Sequence, residues 1–281
     1  MISDLLQTAL QEIEMDVAEA GQVSTEAAEV YEQFFVPALF GQFAPLVAEA
    51  ARAEPGQKSL DVACGTGVLA REMHRRTGRG AGTTGLDCNL GMLAVARRTE
   101  PAIDWVEGKA EALPFPDHSF DAVVSQFGLM YFEDRLAGLR EMWRVLRSGG
   151  YMVVAVWDSL GNLPGFAALE AVFQQRLGEE AAASLRAPFV LGDRAALGAM
   201  IEAAKIADGK IETRHGTARF RSIEDWVRTE VKGWTLADQV GEEGYQRLQQ
   251  SAQEQLRDFT VSDGSVAFQV AAHLVVAQKP L

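Results

Sequence analysis

Four residues near the first third of the chain have the types and spacing to hold a small charged ligand. The stretch LDVACGTGVLA at 60–70 places Asp61 inside an apolar run and then Gly65 and Gly67 with one residue between them; Asp87 follows 22 residues after Gly65, at the end of TTGLD. Glycines so spaced allow a tight strand-to-helix turn that brings a helix N-terminus close to a ligand, and an acid ending the next strand can accept hydrogen bonds from ribose hydroxyls. Read from Gly65, the letters satisfy G-x-G-x-x-A, a pattern shared by dinucleotide sites and S-adenosylmethionine sites. Asp61 discriminates between them. A carboxylate four residues before Gly65 would repel a pyrophosphate, whereas it suits a ligand carrying a sulfonium and an ammonium.

Other reactive side chains form no comparable pattern. Cys64 and Cys88 are too few for a disulfide framework and lie in no metal-ligand spacing, so each is expected to be a small packed residue and no metal is expected. The four histidines are the first candidates for a base at neutral pH. His74 falls on the first helix of the core, His215 and His273 on late strands, and His118 in the loop before the fourth strand, nearest the expected cleft. None sits in a motif that marks a base, and no catalytic residue is assigned.

The elements that must position Asp61 and Asp87 alternate as in a parallel sheet flanked by helices. The pattern predicts strands at SLDVA, TTGLD, IDWVEG, DAVVSQ and YMVVAVW. Between them come a helix from Gly67 to Thr77, a helix GMLAVARR capped by Asn89, and a helix with Leu136, Leu139, Trp143 and Leu146 at helical spacing, capped by Asp134 and ended by Gly149. Beyond Asp158, FAALEAVFQQRL and residues 193–205 read as helices and Ile211–Phe220 as a strand; SIEDWVRTEVKGWTLAD reads as an interruption before another helix and a last strand from Val266. The N-terminal stretch, with Ile2, Leu6, Ile13 and Val17 at near-helical spacing, reads as part of a lid. One domain over 1–281 is expected, with an N-terminal helical lid at 1–50, a core at 58–157, helical insertions and a late strand at 158–265, and a final strand at 266–281.

The chain has 281 residues, 48% hydrophobic and 23% charged, with a formal charge of −13, the balance of a globule and the wrong sign for gripping phosphate backbones. The acidic N-terminal stretch reads as neither signal peptide nor membrane span, so a cytoplasmic location and no stable membrane insertion are expected.

LDVACGTGVLA, GLDCNLGMLAVAR, EGKAEALPFPDHSFDAVVSQ and EMWRVLRSGGYMVVAVW together resemble the successive motifs of class I S-adenosylmethionine-dependent methyltransferases, most of all the branch that includes the ubiquinone and menaquinone biosynthesis methyltransferases. The resemblance implies an α/β, Rossmann-like, doubly wound sheet of seven mostly parallel strands with helical lid insertions, and S-adenosylmethionine as cofactor. By the same resemblance Asp61, Gly65 and Gly67 hold the methionine end, Asp87 the ribose, and Ala110 with Glu111 the adenine, on whose face Met92 packs. Ala63, Thr66, Cys88 and Gln126 complete the cofactor set. The chain departs from the pattern at Ala63, where many members have glycine, and at Lys109, where an aspartate is usual.

Candidate acceptor walls are Tyr31, Phe34 and Phe35 before the core, Gln126 and Tyr131 after the fourth strand, Trp157 after the fifth, and Trp226 and Trp234 in the late insertion, which together suit a partly apolar small molecule. A nicotinamide oxidoreductase and a non-catalytic S-adenosylmethionine-binding protein are the alternatives. The charge yields a first prediction: a gel shift with duplex DNA or transfer RNA at low salt shows no complex, and salt-sensitive sub-micromolar binding would refute it.

Overall fold

A computed structural model of the protein describes residues 24–78, 80–232 and 240–281. The stretch with Ile2, Leu6, Ile13 and Val17, and the position of Trp234, lie outside the described residues. Seven strands form one sheet in the order β3-β2-β1-β4-β5-β7-β6. They are β1 Ser59–Val62, β2 Thr83–Asp87, β3 Asp104–Glu107, β4 Phe120–Gln126, β5 Leu146–Trp157, β6 Lys210–Phe220 and β7 Val266–Gln278. The first five run parallel, and β7 inserts antiparallel between β5 and β6. Among the described residues no helix is long and apolar enough to cross a membrane.

The helices are α1 Thr25–Val30, α2 Ala44–Ala50, α3 Val68–Thr77, α4 Leu90–Thr99, α5 Arg135–Val145, α6 Pro164–Leu177, α7 Glu179–Arg186, α8 Arg194–Ala203, α9 Ile223–Lys232 and α10 Glu242–Gln255. Between α1 and α2 the segment Tyr31–Phe40 winds as a π-helix around Pro37, and Gly41 donates to the Val36 carbonyl five residues back. Proline lacks the N–H that an α-helical turn needs there, so the chain widens. β1 and β2 are buried at every position, as central parallel strands covered on both faces must be. Asn89 and Asp134 cap α4 and α5 by accepting from the Met92 and Ala137 amides.

Two boundaries differ from the sequence pattern. The helix α5 ends at Val145, not at Gly149, and β5 begins at Leu146. Leu146 pairs with Phe120, then the register shifts and Tyr151 pairs with Ala122. Gly150 permits this bulge, since a methyl there would meet the Asp121 carbonyl at 2.6 Å. The supposed interruption after Phe220 contains α9, whose first turn is closed by Ser222 Oγ accepting from the Asp225 amide and whose buried stripe is Ile223, Trp226, Val227, Glu230 and Val231. The α7 helix was also not expected.

The turn after β1 lies against one aromatic ring. Trp105 of β3 covers two glycines, and added methyls would meet its ring at 2.3 Å from Gly67 and 2.4 Å from Gly85. Gly67 also has φ +89, a left-handed conformation that penalises any Cβ, whereas no such φ occurs at Gly85. The two positions separate clash from strain. Gly85→Ala should destabilise by about 1–3 kcal/mol through overpacking, and Trp105→Val added to it should restore part of the loss. Gly67→Ala should gain less from the same second change. Urea unfolding of the four variants checks this; equal rescue at both glycines would show that backbone strain contributes nothing at Gly67.

Candidate cofactor and active site

A cleft opens at the C-terminal ends of β1, β2 and β4. Open parallel sheets place ligands there because successive loops diverge from the strand ends. Asp61, Ala63, Cys64 and Gly65 line it from β1 and its turn, Asp87, Cys88, Asn89 and Met92 from β2 and the start of α4, and Gly108 to Glu111 from the loop after β3. Gln126, Phe127, Gly128, Tyr131, Phe132 and Glu133 line it after β4, and Tyr31 closes it from the N-terminal side.

Asp87 organises this edge. Its Oδ2 accepts from the Gly65 amide at 2.8 Å and its Oδ1 from the Asn89 amide at 2.8 Å. Although it ends a strand, it is 8% exposed, because the turn it ties down folds over it. Burial raises its pKa, and the amides of Asn89, Gly65 and Cys88 draw it back. Asp61 is 1% exposed and neither carboxylate oxygen finds a hydrogen-bond partner among the described residues. Burial pushes its carboxyl well above the usual range; the Ala70 amide, outside hydrogen-bonding geometry, draws it down, the Asp87 charge adds to the rise, and Arg71 opposes it.

Three amides of the glycine turn are already used. Gly65 donates to Asp87, Gly67 to the Cys64 carbonyl, and Cys64 to the Leu86 carbonyl. An anion seeking free N–H groups meets instead two buried acids.

The structure separates the sequence candidates. Thr66 and Gly67 do not line the cleft: Thr66 is wholly buried and its carbonyl accepts from Arg71, while Gly67 gives its space to Trp105. Arg71 also pairs with Glu32 at 2.7 Å, tying the π-wound segment to the turn. Met92 lines the cleft and packs with Ala27, Ala28 and Tyr31. Gln126 donates to the Phe40 carbonyl, and its buried Oε1 has no partner among the described residues. Glu111 accepts from the Asp134 amide, and Lys109 pairs with Glu133 across the mouth at 2.5 Å.

Among the acceptor candidates, Tyr31 and Tyr131 are on the wall, and Phe35 and Trp157 are core behind it. Trp226 is fully buried against Phe220 and Phe268, and Phe34 lies beneath Arg228. His118 is not near the cleft: it precedes β4 at the opposite edge of the sheet, held by the Arg144 and Leu146 carbonyls. His273 is buried, bonded to Thr213, the Gly192 carbonyl and Asp158. Sequence reasoning missed Asn89, Phe127 and Gly128 on the wall, and the buried Glu230. Only Glu230 had a signal, as the one acid on the apolar stripe of α9.

The parallel sheet with an antiparallel seventh strand and an acidic cleft at the strand ends make an α/β, Rossmann-like fold. Residues 60–154 match the family described as a methyltransferase domain. The demethylmenaquinone methyltransferase of Renibacterium salmoninarum is 42% identical over 132 residues, 47% of this chain and 53% of the relative. The ubiquinone/menaquinone biosynthesis C-methyltransferase of Stenotrophomonas maltophilia is 45% identical over 106 residues, 36% of this chain and 42% of the relative. The chain thus spans about half the length of the curated relatives it matches. Among solved structures, the Haemonchus contortus phosphoethanolamine N-methyltransferase 2 in complex with S-adenosyl-L-methionine aligns with TM-score 0.60 at 17% identity, covering 95% of this chain and 60% of that one.

The geometry of Asp87 sets what its substitution should do. An asparagine keeps the shape but points an NH₂ at one of two amide donors, so Asp87→Asn leaves one of them facing a donor. Asp87→Asn should therefore weaken binding of S-adenosylhomocysteine about as much as Asp87→Ala, by roughly 10- to 1,000-fold. Calorimetric titration checks it; near wild-type affinity for the asparagine variant would show that the clamp is dispensable.

Proposed function

We propose that the protein transfers a methyl group from S-adenosylmethionine to a small, partly apolar acceptor, working as a single cytoplasmic domain that does not act on nucleic acid. The observation that carries this reading is Asp61, a buried carboxylate on the cleft wall whose two oxygens lack donors. Leaving such a group unpaired is costly, and a ligand bearing cationic N–H groups satisfies it. The residues present fit the cofactor. Asp61 would meet the ammonium of its methionine part, the remaining lone pairs of Asp87 would meet ribose hydroxyls, and Met92 and Ala110 would pack on the adenine. When bound, the cofactor supplies a methyl carbon activated by a positive sulfur, so alignment of the acceptor contributes more than any nucleophilic side chain. Tyr31, Phe127 and Tyr131 give the acceptor an apolar, ring-lined wall that also excludes water.

The nicotinamide alternative needs turn amides free for a pyrophosphate, and here Gly65 and Gly67 have spent theirs on Asp87 and Cys64. The relatives' names point to quinones, but Tyr31 and all elements after β5 lie outside the family match at 60–154, so the acceptor is read here from the wall chemistry alone.

Asp61→Asn tests the assignment. A carboxyl whose pKa is raised by folding loses stability as pH rises from its unfolded value through its folded one, because the unfolded chain gives up the proton first. Removing that charge should raise the melting temperature of the free protein at pH 8 while weakening S-adenosylhomocysteine binding by roughly 10- to 1,000-fold. NADH should not bind the wild type. Unchanged S-adenosylhomocysteine affinity in Asp61→Asn, or tight NADH binding, would overturn the reading.

A further inference from the structure

The sheet ends on a long strand whose outer backbone is not left open. β6 is the last strand in the order, with 11 residues, and among the described residues no strand pairs with its outer side. In an antiparallel pair alternate residues turn their N–H and C=O groups toward the neighbour and the others turn them away. The Asp158 amide donates to the Ala271 carbonyl, so the odd residues of β7 face β5 and its even residues face β6. On β6 the odd residues, Ile211 to Arg219, therefore face outward. An edge of this length is a template for another chain.

Two side chains occupy that edge. The Gln42 amide behaves as one residue of a missing strand: its Oε1 accepts from the Thr217 amide at 2.8 Å and its Nε2 donates to the Thr217 carbonyl at 3.1 Å. Nε2 also donates to the Leu39 carbonyl at 2.9 Å, which fixes the orientation of the amide. Gly216 makes the room, since a methyl there would meet Gln42 Oε1 at 2.5 Å. At the other end Arg194 of α8 donates to the Ile211 carbonyl at 2.7 Å. Between the two caps only Thr213 and His215 face outward, too short a run to hold a strand.

We propose that the outer edge of β6 is a pairing surface for a second copy of this chain, held shut by Gln42 and Arg194. The charges of the strand select that partner. Lys210, Glu212 and Arg214 are exposed and share one face. When a second copy runs antiparallel with Thr213 opposite Thr213, Glu212 of each copy lies opposite Arg214 of the other, at non-hydrogen-bonded positions where side chains are closest. The neighbouring registers that keep the backbone bonds set Arg214 against Arg214 or Glu212 against Glu212. One register is thus self-complementary, as a two-fold pair requires. In it Arg194 holds the Ile211 carbonyl that the second copy's His215 amide needs, and Gln42 fills the place of its Gly209. The inference does not depend on what the cleft binds.

Gln42→Leu and Arg194→Met keep the stems of the two caps and remove their bonds, and Gly216→Ala displaces the Gln42 amide without altering Gln42 itself. Sedimentation velocity is run from micromolar to near-millimolar protein. The wild type should show no association that Glu212→Arg alters. The Gln42→Leu/Arg194→Met variant should form a discrete dimer, associating roughly 10- to 100-fold more tightly than wild type, with the single variants and Gly216→Ala in between. Adding Glu212→Arg to the double variant should abolish the dimer, and adding Arg214→Glu as well should restore it, because the same pairs then form with their signs exchanged. A double variant that stays monomeric overturns the proposal, as does a dimer indifferent to Glu212→Arg or a wild type already paired through this edge. Should the double variant unfold, Gly216→Ala reads the same edge, and its remaining monomeric overturns the proposal equally.

Discussion

One carboxylate fixes the geometry of the cleft. With Asp87 accepting from Gly65 on one oxygen and Asn89 on the other, the turn after β1 and the start of α4 are held at a common distance from the end of β2. Asn89, positioned this way, caps α4 through the Met92 amide, which sets Met92 against α1 and on the cleft wall. The chain needs this clamp because α3 starts at Gly67 with no side-chain cap of its own. Charge-assisted bonds from backbone amides are stronger than neutral ones, and two on one residue leave little freedom to the loops they join.

The reading of the sequence succeeded where a local rule decides the structure. Short runs rich in β-branched and aromatic residues gave β1 to β4, and short polar caps gave α4 and α5, because each element there is specified by its own residues. It failed at Leu146, where helix end and strand start are set by pairing with Phe120 across the sheet, and at α9, whose stripe is interrupted by an acid. The site follows the same division. Asp61 and Asp87 were legible as cleft residues because strand ends meet the cleft at fixed offsets, and the turn glycine Gly67 was legible as a glycine but not as the floor of the Trp105 ring. Phe127 and Gly128 reach the cleft through the path of a loop, which no spacing encodes.

The protein buries charge that the fold itself would be better without. Asp61, Asp87 and Glu230 are each nearly inaccessible and each has its pKa raised by burial, so all three oppose folding increasingly as pH climbs through their titrations. Asp87 recovers part of this through its amides, Asp61 and Glu230 through nothing comparable among the described residues. An unpaired buried acid on a cleft wall, as Asp61 is, is the expected signature of a group kept for a ligand, since an apolar residue of the same size would stabilise the protein more.

The departure from the family pattern at residue 63 shows how the wall tolerates strain. Ala63 has φ 55, a left-handed conformation that a β-carbon disfavours by about 1–2 kcal/mol. Its methyl would collide with any side chain at Gly128, where an added Cβ would lie 2.6 Å away, so the facing loop after β4 needs a glycine there. That loop is strained as well, with Phe127 at φ 57. It is held there by its ring, stacked on Trp157 at 3.8 Å and tilted against Phe40 at 5.6 Å, and Phe40 in turn stacks on Tyr31 at 4.9 Å. The same aromatic column that fixes the strained loop therefore fixes Tyr31 over the cleft, which makes the acceptor wall and the turn under it one packed unit rather than two loops that happen to meet.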